Sequence, residues 1–262
     1  VEPPEKHISE FLARIRYITG GRPWWQVINA IRFGYIKARV VDDLEKMAQW
    51  RRPREIIPGS TDQAFSAALQ LIIKASHPRD VPKAQTQGTQ IMNQVQVDER
   101  KPVVKIGIVG EIYTLLEPFT NLDVERHLGR MGAEVNRSIC LSEWINDHLF
   151  MGLIKGTRSS KEARRAAPPY LNHFVGGHGQ ESIGSTVLYA KQGFDGVIQL
   201  LPFTCMPEIV AQSILPGVSA DLDIPVLTLV VDEQSGEAGT ITRLEAFIDL
   251  LNRKYQPKEV LA

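Results

Sequence analysis

The sequence is poor in cysteine, with two in 262 residues, Cys140 and Cys205. Two thiols cannot make a disulfide framework. No C-x-x-C occurs, so a thioredoxin-like motif or a local two-cysteine metal motif is unsupported. Charge of one sign is not in excess either. Lys+Arg and Asp+Glu both number 30, without the basic surplus expected of a general nucleic-acid binder. No apolar run approaches the ~20 residues of a membrane helix. The N-terminal Val1-Glu2-Pro3-Pro4-Glu5-Lys6 lacks the apolar stretch of a signal peptide. These absences lead to the expectation of a soluble, cytoplasmic protein with reduced thiols. Neither G-x-G-x-x-G nor a Walker loop is present, so nucleotide binding through those motifs is not indicated. The 20 glycines and 16 prolines are near background, which excludes collagen-like and wholly disordered classes.

What is present is ordinary globular composition, 43% apolar and 23% charged, enough for one large or two smaller domains. The first 100 residues read as mainly helical. Ile8, Phe11, Leu12, Ile15 and Ile18 recur at helical spacing before Gly20-Gly21. A second helix is expected from Trp24 to about Trp50, a third capped by Ser60 or Thr61 and running to Ala75, and a weak one over Gln85 to Gln96. Arg51-Arg52-Pro53-Arg54 reads as a solvated turn, and Trp24, Trp25 and Trp50 as core or interface residues. The charged linker Asp98 to Pro102 sets the boundary between 1–100 and 101–262.

The rhythm then changes. Val103–Val109, Ala133–Ile139, Val197–Leu201 and Pro225–Val231 read as four buried strands. Helical patterns lie between and after them, at 122–131, 160–173, 179–192, 206–221 and 238–254. This alternation predicts an α/β, doubly wound, flavodoxin/Rossmann-like domain with about four parallel strands.

In open parallel sheets ligands bind beyond the carboxyl ends of the strands. The segments that follow these strands hold both cysteines. Cys205 precedes Met206-Pro207-Glu208, and Pro207 suits the first turn of a helix. A thiol there faces unpaired N–H groups and the positive end of the dipole, which predicts a lowered pKa. The thiolate would serve as nucleophile, redox group or metal ligand; the plainer reading is an inert buried thiol. Cys140 lacks such a device. Gly176-Gly177-His178-Gly179-Gln180-Glu181 is either a backbone cradle beside an acid/base histidine or a tight turn. Asp232 to Glu237 reads as a hard-cation loop or as helix-capping acids. Tyr113, Glu117 and Asn121 are candidates for ligand contact after the first strand, with Asn121 equally an N-cap. His7, His77, His127, His148 and His173 show no metal spacing.

Five segments occur in one order: Val109-Gly110-Glu111-Ile112-Tyr113, Leu141-Ser142-Glu143-Trp144-Ile145, Gly176–Glu181, Pro202-Phe203-Thr204-Cys205-Met206-Pro207-Glu208-Ile209 and Asp232–Gly239. Together they resemble the 2-hydroxyacyl-CoA dehydratase and acyl-CoA dehydratase activase-related family, most of all its short members labelled CoA protein activase. The resemblance covers the whole chain and is strongest from about residue 103. It implies an oxygen-sensitive protein with a [4Fe-4S] cluster held by three cysteines, one of them at the position of Cys205. It also implies an ATP-dependent activator as partner, acyl-CoA as substrate, homodimer formation, and the activity of a dehydratase-like lyase or a low-potential reductase component. On this reading His178, Glu111 and Glu208 shape the site or relay protons, and Gly110, Tyr113, Gly177, Gly179 and Thr204 contact the bound group. The family's other two cluster cysteines belong to an N-terminal domain, so the expectation is a chain that lacks this domain and is inactive alone. The alternative is a non-enzymatic accessory protein that binds a partner of such a system.

Overall fold

A computed structural model describes residues 8–149 and 160–255. Val1 to Lys6 and His7 lie outside the described residues.

The helical part begins with α1 (Ile8–Ile18) and the long α2 (Trp24–Arg51), followed by a 3-10 turn at Arg52–Arg54. Next come α3 (Ser60–Lys74) and α4 (Val81–Asn93). The second half of α2 packs with α3 and α4 around Val40, Leu44, Ala48, Ala68, Ile72, Val81 and Met92. The start of α3 is capped differently from the expectation. Glu55 reaches forward and accepts the N–H groups of Gly59 (2.6 Å) and Thr61 (2.8 Å), so its carboxylate supplies what a Ser60 or Thr61 cap would have supplied. Trp24 and Trp25 are exposed, not core.

The sheet contains β1 (Val104–Gly110), β2 (Ala133–Arg137), β3 (Gly196–Pro202) and β4 (Val226–Val231). Between β1 and β2 lie α5 (Ile112–Leu116) and α6 (Val124–Arg130); after β2 come α7 (Leu141–His148), α8 (Ser160–Ala166) and α9 (Gly179–Lys191). The strand β3 leads to α10 (Met206–Leu222), and β4 to α11 (Glu237–Tyr255). All pairs are parallel, in the order β2-β1-β3-β4. The central strands β1 and β3 are almost wholly buried because helices cover both faces. One face carries Ile106, Ile108, Ile198, Leu200 and Leu229 against Leu128 of α6 and Leu244, Ile248 and Leu251 of α11. On the other, α9 and α10 pack through Ile183, Val187, Ala211, Leu215 and Val218. This is the expected flavodoxin/Rossmann-like α/β architecture.

Two expected helices are shorter than their sequence patterns. Residues 160–173 yield only Ser160–Ala166, and the chain then turns at Ala167 to Tyr170, where Pro168-Pro169 cannot continue the amide ladder. Helix α6 starts at Val124, because Leu122 and Asp123 take positive φ. Asn121 therefore caps no helix start. Its buried amide donates to the carbonyls of Thr114 (2.9 Å) and Leu115 (3.3 Å), closing the C-terminal end of α5.

The helical part meets the sheet along the β2 edge through buried charges. Arg137 of β2 pairs with Glu45 of α2 and with Glu125 of α6 (2.9 Å). Its guanidinium is pushed up, since these two carboxylates outweigh the opposing cost of burial. Arg52 pairs with Asp62 (2.9 Å) and Arg54 with Glu134 (2.6 Å). The Arg-Arg-Pro-Arg turn is therefore not solvated: Arg52 and Arg54 are buried. Opposing carboxylates from distant segments make that burial tolerable. Trp50 contributes as well, with the Arg54 guanidinium 4.8 Å from its ring centroid. No described helix is long and apolar enough to cross a membrane.

Candidate functional site

The strand order places a topological switch at the centre of the sheet. From β1 the chain turns one way, to β2; from β3 it continues the other way, to β4. The connection after β1 leads to the α6 and α11 face, and the connection after β3 to the α10 face. Segments that leave adjacent strands toward opposite faces open a crevice at their carboxyl ends. Glu111 and Cys205 follow these two strands.

Gly110 makes the close pairing at this point possible. It ends β1 at φ +142°, and a Cβ there would lie 1.8 Å from the Leu200 carbonyl oxygen of β3. Strand packing thus explains this glycine without a bound group. Glu111 caps α5, its carboxylate accepting from the Thr114 N–H (2.9 Å) and hydroxyl (3.1 Å).

Cys205 is the N-cap of α10. Its N–H donates to the Pro202 carbonyl (3.0 Å), and its own carbonyl accepts from the Ile209 N–H (2.9 Å). The placement at a helix start is as expected, but the expected lowering of the thiol pKa is not. Partial burial pushes the thiol up, and the Glu208 N–H that favours the thiolate does not offset it. The neighbouring Glu208 and Glu111 carboxylates push in the same direction as burial. The helix dipole therefore loses here to desolvation and nearby negative charge. An unliganded Cys205 is a protonated thiol, and a metal must displace its proton to bind.

Large apolar side chains next to Cys205 in the chain are exposed. Phe203 and Met206 are its close neighbours in sequence and are 65% and 67% exposed. Tyr113 and Phe119 after β1, and Phe174 before the Gly-rich turn, are exposed as well, Phe119 at 89%. Thr204 lies exposed in the same segment.

Glu208 points inward. It is fully buried. One carboxylate oxygen accepts from the Ser182 hydroxyl (2.9 Å) and the other from the Gln199 amide (2.9 Å). The Gln199 amide nitrogen also donates to the Glu208 carbonyl (3.0 Å), while its oxygen accepts from Thr228 (3.1 Å). This network ties the first turn of α10 to α9, β3 and β4. Burial raises the Glu208 carboxyl to about 7 despite these two donors. With no exposed surface, Glu208 can position Cys205 but cannot touch a ligand in the crevice.

The Gly-rich turn is built against the same helix. A Cβ on Gly179 would come within 2.3 Å of the Pro207 carbonyl oxygen, and one on Gly177 (φ +43°) within 3.0 Å of the Pro207 ring. These glycines let α9 start directly on the Cys205 segment, so packing accounts for them. The turn leaves His178 as the residue before α9, with an imidazole that makes no hydrogen bond among the described residues. Burial holds its pKa below the ordinary value, while Glu181 and Glu111 pull it upward.

The other candidates separate from the crevice chemistry. Asp232 accepts from the Gln234 N–H and from the Ser235 hydroxyl, shaping its own turn. Glu237 starts α11 and pairs with His127 at 3.3 Å. Cys140 is buried beyond the end of β2; desolvation and Glu143 push its thiol up to about 12.

Sequence reasoning missed a group beside His178. Glu181, His148 and Trp144 line a small cavity of about 40 Å³ between α7, α8 and α9. Glu181 receives the Arg164 side chain at 2.6 and 2.7 Å. It lies within the Gly-rich motif, and the only available signal was an acidic residue in the first turn of a helix. His148 had no metal spacing to mark it.

Among the described residues, no group of three or more His, Cys, Asp or Glu side chains is arranged to hold a metal ion. Cys205 fits as one thiolate ligand of an iron–sulfur cluster. Cys140 is buried at the N-cap of α7, beyond the end of β2, and no described group of metal-ligating side chains joins it to Cys205. A scan against models of protein families finds no match, and a search of curated proteins finds none.

Proposed function

We propose that the protein is an iron–sulfur component of a low-potential, 2-hydroxyacyl-CoA dehydratase-like system, in which Cys205 supplies one ligand to a [4Fe-4S] cluster completed by thiolates from outside these 262 residues. The observation that supports this most is the setting of Cys205. A half-buried thiol stands at a helix start beside the topological switch, with exposed Phe203 and Met206 next to it in the chain as an apolar rim. Such a rim suits coverage by another polypeptide surface, which would bring the remaining ligands and exclude water from the cluster. The fixed first turn of α10, anchored through Glu208, holds the thiol in place. An acyl-CoA substrate and an ATP-dependent activator belong to this reading. Anaerobic isolation of the protein with its partner is its test. Visible cluster absorbance that disappears in Cys205→Ser supports it; absorbance that survives the substitution rejects it.

The exposed rim also favours a second reading, a non-enzymatic accessory protein that uses this edge to bind the activator. Activator binding by iron-free protein, reduced by Phe203→Ser and Met206→Ser but not by Cys205→Ser, would select it over the first.

A further inference from the structure

A group of exposed hydrophobic side chains flanks the turn between α1 and α2. Gly20 and Gly21, at φ +62° and +73°, close the end of α1. The Gly20 N–H donates to the Tyr17 carbonyl (3.1 Å) and the Gly21 N–H to the Arg16 carbonyl (2.9 Å). Pro23 then leads into α2. Tyr17 and Ile18 at the end of α1 are 89% and 73% exposed, and Trp24, Trp25 and Ile28 at the start of α2 are exposed too. On α2, Trp24 and Ile28 are four residues apart, and Trp25, Ile28 and Arg32 are three and four apart, so these residues share one face of the helix. Among the described residues, none before Phe33 joins a buried hydrophobic cluster. This turn and its flanks are therefore not part of the core that α2, α3 and α4 build.

The charge of this stretch is one-sided. From Phe11 to Val41 the sequence has six Lys or Arg and no Asp or Glu, in a chain whose totals are 30 and 30. Lys37 is engaged within the fold, donating to the carbonyls of Ile73 (3.3 Å) and Ala75 (3.1 Å) near the end of α3. Arg16, Arg22 and Arg32 are exposed and alternate along the chain with the hydrophobic group. Exposed indoles beside basic residues suit the headgroup layer of a bilayer. There the rings sit at the interface, aliphatic side chains reach the acyl boundary, and cations meet anionic headgroups. Single-stranded nucleic acid fits less well, because Ile18 and Ile28 offer no face for stacking. An acidic protein would need apolar surface shaped to two adjacent indoles and two isoleucines, whereas a fluid bilayer takes them in any arrangement. No described helix is long and apolar enough to cross a membrane, so the contact is one of lying on the bilayer.

We propose that the turn between α1 and α2 docks the protein on a bilayer surface that carries anionic phospholipid, with Ile18, Trp24, Trp25 and Ile28 entering the interface and Arg16, Arg22 and Arg32 pairing with headgroup phosphates. None of these residues belongs to the segments that follow the strands, and the proposal stands whether or not the protein carries a cluster.

The test is co-sedimentation of the 262-residue chain with vesicles of phosphatidylcholine alone and of phosphatidylcholine mixed equally with phosphatidylglycerol. The mixed vesicles should bind the protein, more weakly as salt is added, and the neutral vesicles should bind it far less. Replacing Arg16, Arg22 and Arg32 together by Gln should weaken binding to the mixed vesicles by roughly fivefold for each arginine, about a hundredfold in all. Trp24→Ser with Trp25→Ser should weaken it as well and abolish the blue shift of tryptophan emission that accompanies binding. If a variant does not fold, the contrast between the two kinds of vesicle in the unmodified protein decides. Equal binding to both vesicles, binding that ignores the arginines, or no binding to either would overturn the proposal. So would self-association through this turn, or retention on RNA or an acidic polypeptide, in protein that the mixed vesicles do not bind.

Discussion

The β2 edge and the carboxyl edge of the sheet both bury charge, but they treat it differently. At the β2 edge every named cation has its counter-ion: Arg137 with Glu45 and Glu125, Arg52 with Asp62, Arg54 with Glu134. At the carboxyl edge the charged and polar groups are only partly satisfied. Among the described residues, Glu181 has a buried oxygen without a hydrogen-bond partner, the His178 ring has no hydrogen bond, and Cys205 carries a raised thiol next in the chain to exposed Phe203 and Met206. Buried charges that are fully paired hold two parts of a chain together. Groups left half-spent on a concave surface are where a ligand or partner is expected.

The largest effect should come from disturbing the paired edge. Arg137→Met leaves Glu45 and Glu125 facing each other in a buried seam, and unfolding by denaturant should show a loss of about 3–5 kcal/mol. Replacing Arg137, Glu45 and Glu125 together by apolar residues should recover most of that loss; failure to recover would mean that the ion pairs do more than neutralise one another.

Next is the pH dependence contributed by Glu208. Its folded carboxyl, near 7, lies above the ordinary glutamate value of 4.5. The folded state therefore holds a proton that the unfolded state releases. The stability associated with this proton is fully present below about 4.5 and is lost as pH rises toward about 7, by up to about 3 kcal/mol. Glu208→Gln keeps a neutral, hydrogen-bonding side chain and should flatten the stability profile across this window. An unchanged profile would place the titrating group elsewhere.

A smaller effect sharpens the contrast between the cysteines. In iron-free protein at pH 8, iodoacetamide should label Cys205 more slowly than a free thiol, because burial raises its pKa. It should label Cys140 only on unfolding, since that thiol is buried and pushed up to about 12. Peptide mass mapping over time distinguishes the two. Rapid labelling of Cys205 would restore the activated thiolate that a helix start suggests. The smallest expected effect on stability is that of Cys205→Ser, within about 1 kcal/mol, because the hydrogen bonds of Cys205 with Pro202 and Ile209 run through its backbone and not its side chain.

The sheet was readable in the sequence because its strands are continuous apolar runs, as in Val103–Val109 and Pro225–Val231, and because buried parallel strands require that pattern. Strand order was not readable. Nothing local in Ala133–Ile139 says that it flanks β1 on the side away from β3. The placement of Cys205 at a helix start was legible from Pro207, but its pKa was not, since that depends on Glu208 and Glu111 folding nearby. The Arg51–Arg54 turn was misjudged for the same reason: its partners Asp62 and Glu134 come from elsewhere in the chain. The Gly176–Glu181 segment was legible as a constrained turn, while the reason for the constraint, Pro207, lies about thirty residues away.

The central claim is that Cys205 is one ligand of a cluster that this chain cannot complete alone. The most direct measurement is iron and acid-labile sulfide per chain after anaerobic reconstitution, for the 262-residue chain alone and with a partner that supplies the added thiolates, each with and without Cys205→Ser. The account predicts iron and sulfide in equal amounts only where the added thiolates and Cys205 are both present. Iron bound by the 262-residue chain alone, iron retained after Cys205→Ser, or no iron in any sample would contradict it.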